Sequence, residues 1–261
     1  MKYYVVTRIY LDELKAWDIY WKWRWFTRRM WESEYWGEVR AAVKPVLDII
    51  SKFDVKSILD CSCGLGYKTI LFAEAGYYVE GSDASREAVK YAPKLAREHG
   101  FNIRFFLSRF DELDEKCGRS YDCIWSDYFD EINTYEYLML SAKAIYSVLK
   151  EGGIFMFTAP NKEELAEIIE KEWKSRRKIT IHPPYKKGSI RVIHVEVAEK
   201  TSEGILENNI FLIEENDSLR AEIAQIMNPR IKWTYKNFKE ILAKIGFKDI
   251  HIYKGLIIAV K

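Results

Sequence analysis

SILDCSCGLGYKTILFAEAGYYVEGSDAS, residues 57–85, decides the fold. An apolar run at 57–60 enters a glycine-bearing turn at 61–66, and a helical stretch follows. A second apolar run ends at Asp83, after which REAVKYAPKLAREHG reads as another helix. Two strand-turn-helix units in succession predict parallel strands joined by crossover helices. Further on, IRFFLS reads as a strand, DELDEKCGRS as a polar loop and YDCIWSDY as a buried strand. A helix over 134–149 follows, stopped by Gly152 and Gly153 before the apolar run IFMFTA. The expected class is α/β, a Rossmann-like sheet with helices on both faces.

The flanks break this alternation. Trp17, Trp21, Trp23, Trp25, Trp31 and Trp36 interleave with Arg24, Arg28, Arg29 and Arg40, and the reading is two or three aromatic helices over 1–44. The core pattern starts at Pro45 and runs to 165. An inserted subdomain spans 166–233, and 234–261 returns to the core sheet. A charged helix over 161–175 precedes RVIHVEVAEK and GILENNIFLIEE, two period-2 runs joined through 201–204 as an antiparallel hairpin. LRAEIAQIM reads equally well as a third strand or a helix. Thr234 fits an N-cap for YKNFKEILAKIG, ended by Gly246, and FKDIHIY and LIIAVK supply the closing strands.

With 41 basic and 39 acidic residues the net charge is +2, too even for the broad basic face of a dedicated nucleic-acid binder. Cys61 and Cys63 are spaced C-x-C with no second pair or clustered histidine, so no metal site is expected. His99, His182, His194 and His251 show no ligand spacing. The opening residues lack a secretory pattern and no run approaches the roughly 20 apolar residues of a membrane span. The expectation is a cytoplasmic protein with reduced thiols and no membrane partner.

Chemistry concentrates in the glycine turn. Asp60, Gly64 and Gly66 lie between strand and helix, where glycines admit a tight turn and the N–H groups at the helix start can meet a carboxylate. A dinucleotide fingerprint requires a third glycine, and Thr69 stands there, which argues against NAD or FAD. Asp83, after the second strand, is placed to accept hydrogen bonds from ribose hydroxyls. Plainer roles are an N-cap for Asp83 and a local turn bond for Asp60.

These motifs resemble the class I S-adenosylmethionine-dependent methyltransferases, whose glycine loop is D-x-x-x-G-x-G. The similarity runs over about 15–260 and is greatest to the glycine N-methyltransferase group, through AWDIYW near the start and the R-x-x-W-T-Y segment from Arg230 to Tyr235. It implies S-adenosyl-L-methionine as cofactor, with Asp60, Ser62, Gly64 and Gly66 around the methionine part and Asp83 at the ribose. Ala84 and Ser85 would lie near the adenine. Arg109 and Phe110 stand where that group usually has Asn-Trp beside the base, with Asp111 as a substitute acceptor for the exocyclic amine.

Ser126, Asp127, Tyr128, Phe129 and Asp130 follow the fourth strand, at the sheet edge where ligands gather. Ser126 is assigned to the cofactor. Asp127 accepts a proton from an amine or positions it, and Tyr128 supplies a hydroxyl or an aromatic wall. The bland alternative is a strand-end turn with solvated Asp130 and Glu131. The group's carboxylate-binding arginine is missing from Thr158-Ala159-Pro160-Asn161, which argues against glycine as acceptor. Basic residues at 171–178 with Lys186, Lys187 and Arg191 could receive a phosphate or carboxylate, although a solvated face is the commoner use of such a run. The aromatic start is read as a lid ahead of an oligomer contact or a nucleic-acid platform, and a homo-oligomer stays open. Methyl transfer to a small-molecule amine therefore leads, ahead of an RNA or protein methyltransferase and of a non-catalytic cofactor-binding protein.

Overall fold

The computed structural model describes residues 12–159, 162–230, 232–253 and 255–261, and the backbone of 5–10. The chain starts with β1 (Val5–Tyr10), α1 (Glu13–Thr27) and α2 (Glu32–Ile50). Two β-α units follow: β2 (Ser57–Asp60), α3 (Tyr67–Glu74), β3 (Tyr78–Asp83) and α4 (Arg86–Glu98). Next come β4 (Arg104–Leu107), α5 (Leu113–Lys116), β5 (Tyr121–Ser126), α6 (Tyr135–Val148) and β6 (Leu149–Thr158). The insert holds α7 (Leu165–Ser175), β7 (Ile179–Ile181), β8 (Tyr185–Lys187), β9 (Ile190–Lys200), β10 (Gly204–Glu215) and β11 (Ser218–Arg230). α8 (Tyr235–Ile245), β12 (Lys248–Tyr253) and β13 (Leu256–Val260) close the chain.

Contacts divide these elements into two units, residues 34–163 with 231–261 and residues 1–33 with 164–230. The first is the α/β core, whose seven strands run in the order β12-β13-β6-β5-β2-β3-β4. β6, β5, β2, β3 and β4 are parallel, and β13 pairs antiparallel with β6. β2 is buried along its whole length, as a central parallel strand must be when helices cover both faces. Phe129, Phe155, Phe157 and Phe238 form an aromatic knot in the core, with Phe129 4.9 Å from both Phe155 and Phe157.

The second unit is a helix on a sheet. Its strands run β1-β11-β10-β9-β7, with β8 also on β9. β1 lies parallel to β11, and the remaining pairs are antiparallel. Trp23 of α1 is buried against Val192, Phe211 and Ile213, and Ala16 against Ala224 and Ile226. The Trp23 indole N–H donates to Glu222 Oε2 at 2.8 Å, satisfying its one polar atom inside the packing.

Several local readings change. The first aromatic residues are preceded by a strand, β1, not a helix, in keeping with the β-branched content of VVTRIY. α2 continues through Pro45, carried by the buried stripe Val39, Val43, Val46, Ile49 and Ile50. LRAEIAQIM is strand, because pairing with β10 on one side and β1 on the other overrides the helix propensity of Ala, Glu and Gln. β6 begins at Leu149, ahead of the glycines expected to separate helix from strand. Thr234 caps α8 as expected, its hydroxyl accepting from the Asn237 N–H at 3.1 Å.

Replacing Trp23 by alanine should lower the opening free energy of β10 amides by about 3–5 kcal/mol, the range for emptying a large aromatic site. Hydrogen exchange measures this directly, and unchanged β10 protection would show that Trp23 does not hold the sheet.

Candidate active site

Four connections emerge at the carboxyl ends of the parallel strands: 61–66 after β2, 84–85 after β3, 108–112 after β4 and 127–134 after β5. Polar bonds tie them together. The glycine loop is stitched to its neighbours by the Cys61 N–H donating to Trp125 O at 2.9 Å and the Cys63 N–H donating to Ser82 O at 3.0 Å. Gly64 and Gly66 have φ of 52° and 88°, left-handed backbone that glycine adopts without strain. A Cβ at Gly66 would also lie 3.0 Å from the Phe105 ring, so the loop leaves no room for a side chain there.

Asp83 ends β3 and reaches back to this loop. Its carboxylate accepts the Gly64 N–H and the Ser85 N–H, both at 2.8 Å. Ser85, not Asp83, caps α4, its hydroxyl accepting from the Ala88 N–H at 3.2 Å. Ala84 beside it is half-buried.

Asp60 is 1% exposed and accepts the Thr69 hydroxyl at 2.7 Å. The residue standing in place of a third glycine is therefore the partner of the acid that opens the loop. Burial pushes the Asp60 carboxyl up to about 7, with the Thr69 bond pulling it down, Asp127 raising it and Lys68 lowering it. No side chain caps α3, whose N-cap position is Gly66. The N–H groups of its first turn are set toward the loop mouth. Tyr35 and Trp36 stand edge-on to Tyr67 at ring separations of 5.0 and 4.7 Å, so α2 supplies aromatic cover beside the first residue of α3.

Ser62 and Ser126 meet at 3.0 Å between their hydroxyl oxygens. Ser62 Oγ accepts the Asp127 N–H at 3.0 Å, and Ser126 Oγ accepts the Tyr128 N–H at 3.1 Å. These two serines fix the turn that carries Asp127 and Tyr128. The Asp127 carboxylate pairs with Lys68, in the first turn of α3. Sequence reading passed over Lys68, although a cation in a first helical turn is disfavoured by the helix dipole and signals a nearby anion. Tyr128 is half-buried against the core.

Asp130 and Glu131 are 7% and 8% exposed, against the solvated turn considered from sequence. They sit in a 3-10 turn, Phe129–Glu131, whose Phe129 is anchored in the aromatic knot and draws its neighbours inward. Burial pushes Asp130 up to about 8, opposed by its backbone hydrogen bond and by Thr158 and reinforced by the Asp127 charge. Phe110 is 9% exposed within the core cluster, edge-on to Phe129 at 5.7 Å. Arg109 lies over the Tyr137 ring at 4.8 Å and donates from Nε to Asp111 at 3.1 Å, so Asp111 already holds a cation. Thr158 donates to Asp127 O at 3.2 Å, whereas Pro160 and Asn161 lie outside the described residues.

A methyltransferase domain family model matches residues 52–227. The putative methyltransferase YqeM of Bacillus subtilis (strain 168) is 29% identical over 114 residues, 43% of this chain and 45% of that protein, so the match spans under half the length of the curated relative. Among solved structures, an S-adenosylmethionine-dependent methyltransferase from Clostridium acetobutylicum ATCC 824 aligns with TM-score 0.60 at 14% identity, over 93% of this chain and 98% of that one. The sugar N-methyltransferase KedS8 from Streptoalloteichus sp ATCC 53650 aligns with TM-score 0.54 at 14% identity, over 79% of this chain and 80% of that one.

The two raised carboxyls set a pH dependence. Both bind a proton more tightly folded than at their ordinary value of 3.8, so their contribution is fully present below about pH 4 and is lost as pH climbs through about 7 for Asp60 and about 8 for Asp130. Asp130→Asn should flatten the upper part of this decline and leave the variant more stable than the parent at about pH 9, by on the order of a few kcal/mol. Urea unfolding of both proteins across about pH 5 to 9 checks it, and a variant weaker than its parent at the alkaline end would refute the buried neutral acid.

Proposed function

The chain belongs to the class I S-adenosylmethionine-dependent methyltransferases, and on that footing we propose that it methylates an amine nitrogen of a small molecule. The observation that carries this reading is Asp127, an acid held at the sheet edge by Ser62 and Lys68 beside the glycine loop. Resemblance to the glycine N-methyltransferase group and the fold shared with a sugar N-methyltransferase are compatible with nitrogen as the acceptor. Glycine itself is disfavoured, because the sequence offers no arginine at 158–161 to grip a carboxylate in bidentate fashion.

The residues present suit the cofactor. The uncapped start of α3 offers N–H donors to an amino-acid carboxylate, with Asp60, Ser62, Gly64, Gly66 and Ser126 around that end. Asp83 offers acceptor lone pairs to ribose hydroxyls, while Ala84, Arg109 and Phe110 border the adenine. S-adenosylmethionine supplies an electrophilic methyl on a sulfonium, so the chain needs no covalent catalysis of its own.

What the protein contributes is alignment and a dry surface. Asp127 accepts an N–H of the amine, which turns the nitrogen lone pair away from the carboxylate and toward the cofactor. Lys68 holds the Asp127 carboxylate in place for that task. Tyr128 forms the wall against which the amine rests, and Tyr35 and Trp36 shield the loop from water.

Asp83→Ala should weaken S-adenosylhomocysteine binding by about 1–3 kcal/mol, the range for losing a hydrogen-bonding group, and calorimetry giving parental affinity would remove Asp83 from the ribose.

Asp127→Asn should lower turnover on an amine while leaving cofactor affinity within about twofold, since the residue acts on the acceptor. Parent turnover should rise with pH as the amine loses its proton. Radiolabelled methyl transfer to an amine panel that includes glycine and bulk RNA is the deciding assay. Efficient use of glycine, or activity on RNA alone, would overturn the proposal.

A further inference from the structure

The β unit carries a polar cluster that the methyl-transfer chemistry does not use. His194 and Glu196 lie two residues apart on β9 and so share a face. Across the ladder, Asn209 stands opposite Glu196 and Phe211 opposite His194. His182, just after β7, donates its N–H to His194 O at 2.9 Å, which brings the two imidazoles side by side. Their rings stack at 4.8 Å with an 11° tilt, and Phe211 stacks on His194 at 4.4 Å. His194, 3% exposed, is thus clamped in position between an imidazole and a phenyl ring.

Both imidazoles address one carboxylate oxygen. Glu196 Oε1 is 3.2 Å from His182 Nε2 and 3.7 Å from His194 Nδ1. His194 Nε2 lies 3.0 Å from Asn209 Oδ1, and in the tautomer that donates this bond Nδ1 is a bare lone pair facing the carboxylate. Two lone-pair bearers face each other there, an arrangement that a cation between them relieves. His182 Nε2 is buried and makes no hydrogen bond of good geometry.

We propose that His182, His194 and Glu196 form a binding site for a divalent transition-metal ion, zinc by the chemistry of its donors. Ligands held at about 2.0–2.1 Å by a tetrahedral ion lie about 3.3 Å apart, against 3.2 and 3.7 Å from the carboxylate oxygen to the two imidazoles and a set that lies within 4.8 Å, so the side chains close inward on the ion. Asn209 takes the part of the outer partner that fixes a ligating histidine's tautomer and ring plane. Three protein ligands leave one position open. Arg24 and Arg176 balance Glu196 and Glu207 within the same electrostatic neighbourhood, so an ion would add uncompensated positive charge. The open position therefore suits an oxygen anion, hydroxide or a ligand's carboxylate or phosphate.

The test uses the full chain, stripped of metal by chelation and titrated with zinc chloride by calorimetry and with cobalt(II) by visible absorption. The expected result is one equivalent bound, with cobalt absorption of a site containing imidazole nitrogen. His182→Ala and Glu196→Gln should each weaken zinc binding by tenfold or more, and Asn209→Ala by about 10–100-fold. Circular dichroism and S-adenosylhomocysteine affinity report whether each variant is folded. Less than one equivalent taken up by the parent would overturn the site, as would parental affinity in folded His182→Ala, which would place the ion elsewhere.

Discussion

One carboxylate accepting two backbone N–H groups sets the geometry of this protein's working edge. Asp83 ends β3, yet it binds Gly64 in the loop after β2 and Ser85 at the start of α4, so a single side chain fixes two connections at once. Hydrogen bonds to a charged acceptor are worth about 1.5–3 kcal/mol each, which adds to the burial of Cys61, Cys63 and Leu65 in holding the loop. The same logic continues sideways. Asp60 holds Thr69, Ser62 holds Ser126 and the Asp127 N–H, and Lys68 holds the Asp127 side chain. Apolar packing makes the sheet, and polar ties shape its rim.

The parallel core was legible because its signals are local. Strand, glycine turn and helix recur within 57–85, and β2 and β3 stand where those runs lie, at Ser57–Asp60 and Tyr78–Asp83. Thr234 announced its helix for the same reason, since a cap and its third residue are neighbours in sequence. What stayed hidden depends on distant partners. LRAEIAQIM became strand only because β1 and β10 flank it, and no window of that segment contains either neighbour. Lys68 and Asp127 are 59 residues apart, and each alone looks like a surface charge. Asp130 and Glu131 had the composition of a solvated turn, but Phe129 beside them belongs to the core and carries them in.

The histidines show the same limit in another form. His182 and His194 have no spacing that reads as a ligand pair, because the segment after β7 and the strand β9 are brought together by a connection, not by a helical turn. Only the H-x-E of His194 and Glu196, once placed on a strand, puts two donors on one face.

Trp23 and Glu222 are bonded across 199 residues of chain, and β1 completes its sheet by pairing with β11. During synthesis the aromatic helix emerges early, while the sheet it covers is still unmade. At translation rates of about 5–20 residues per second, its apolar face waits on the order of ten seconds or more for its partners. Aromatic rings interleaved with arginines suit that interval: Arg24 over Trp31 and Arg28 over Trp25 are neighbours in sequence and can form as soon as the segment leaves the ribosome. These contacts need nothing from the later chain, so part of the aromatic and basic surface is satisfied locally before Trp23 and Ala16 meet the sheet.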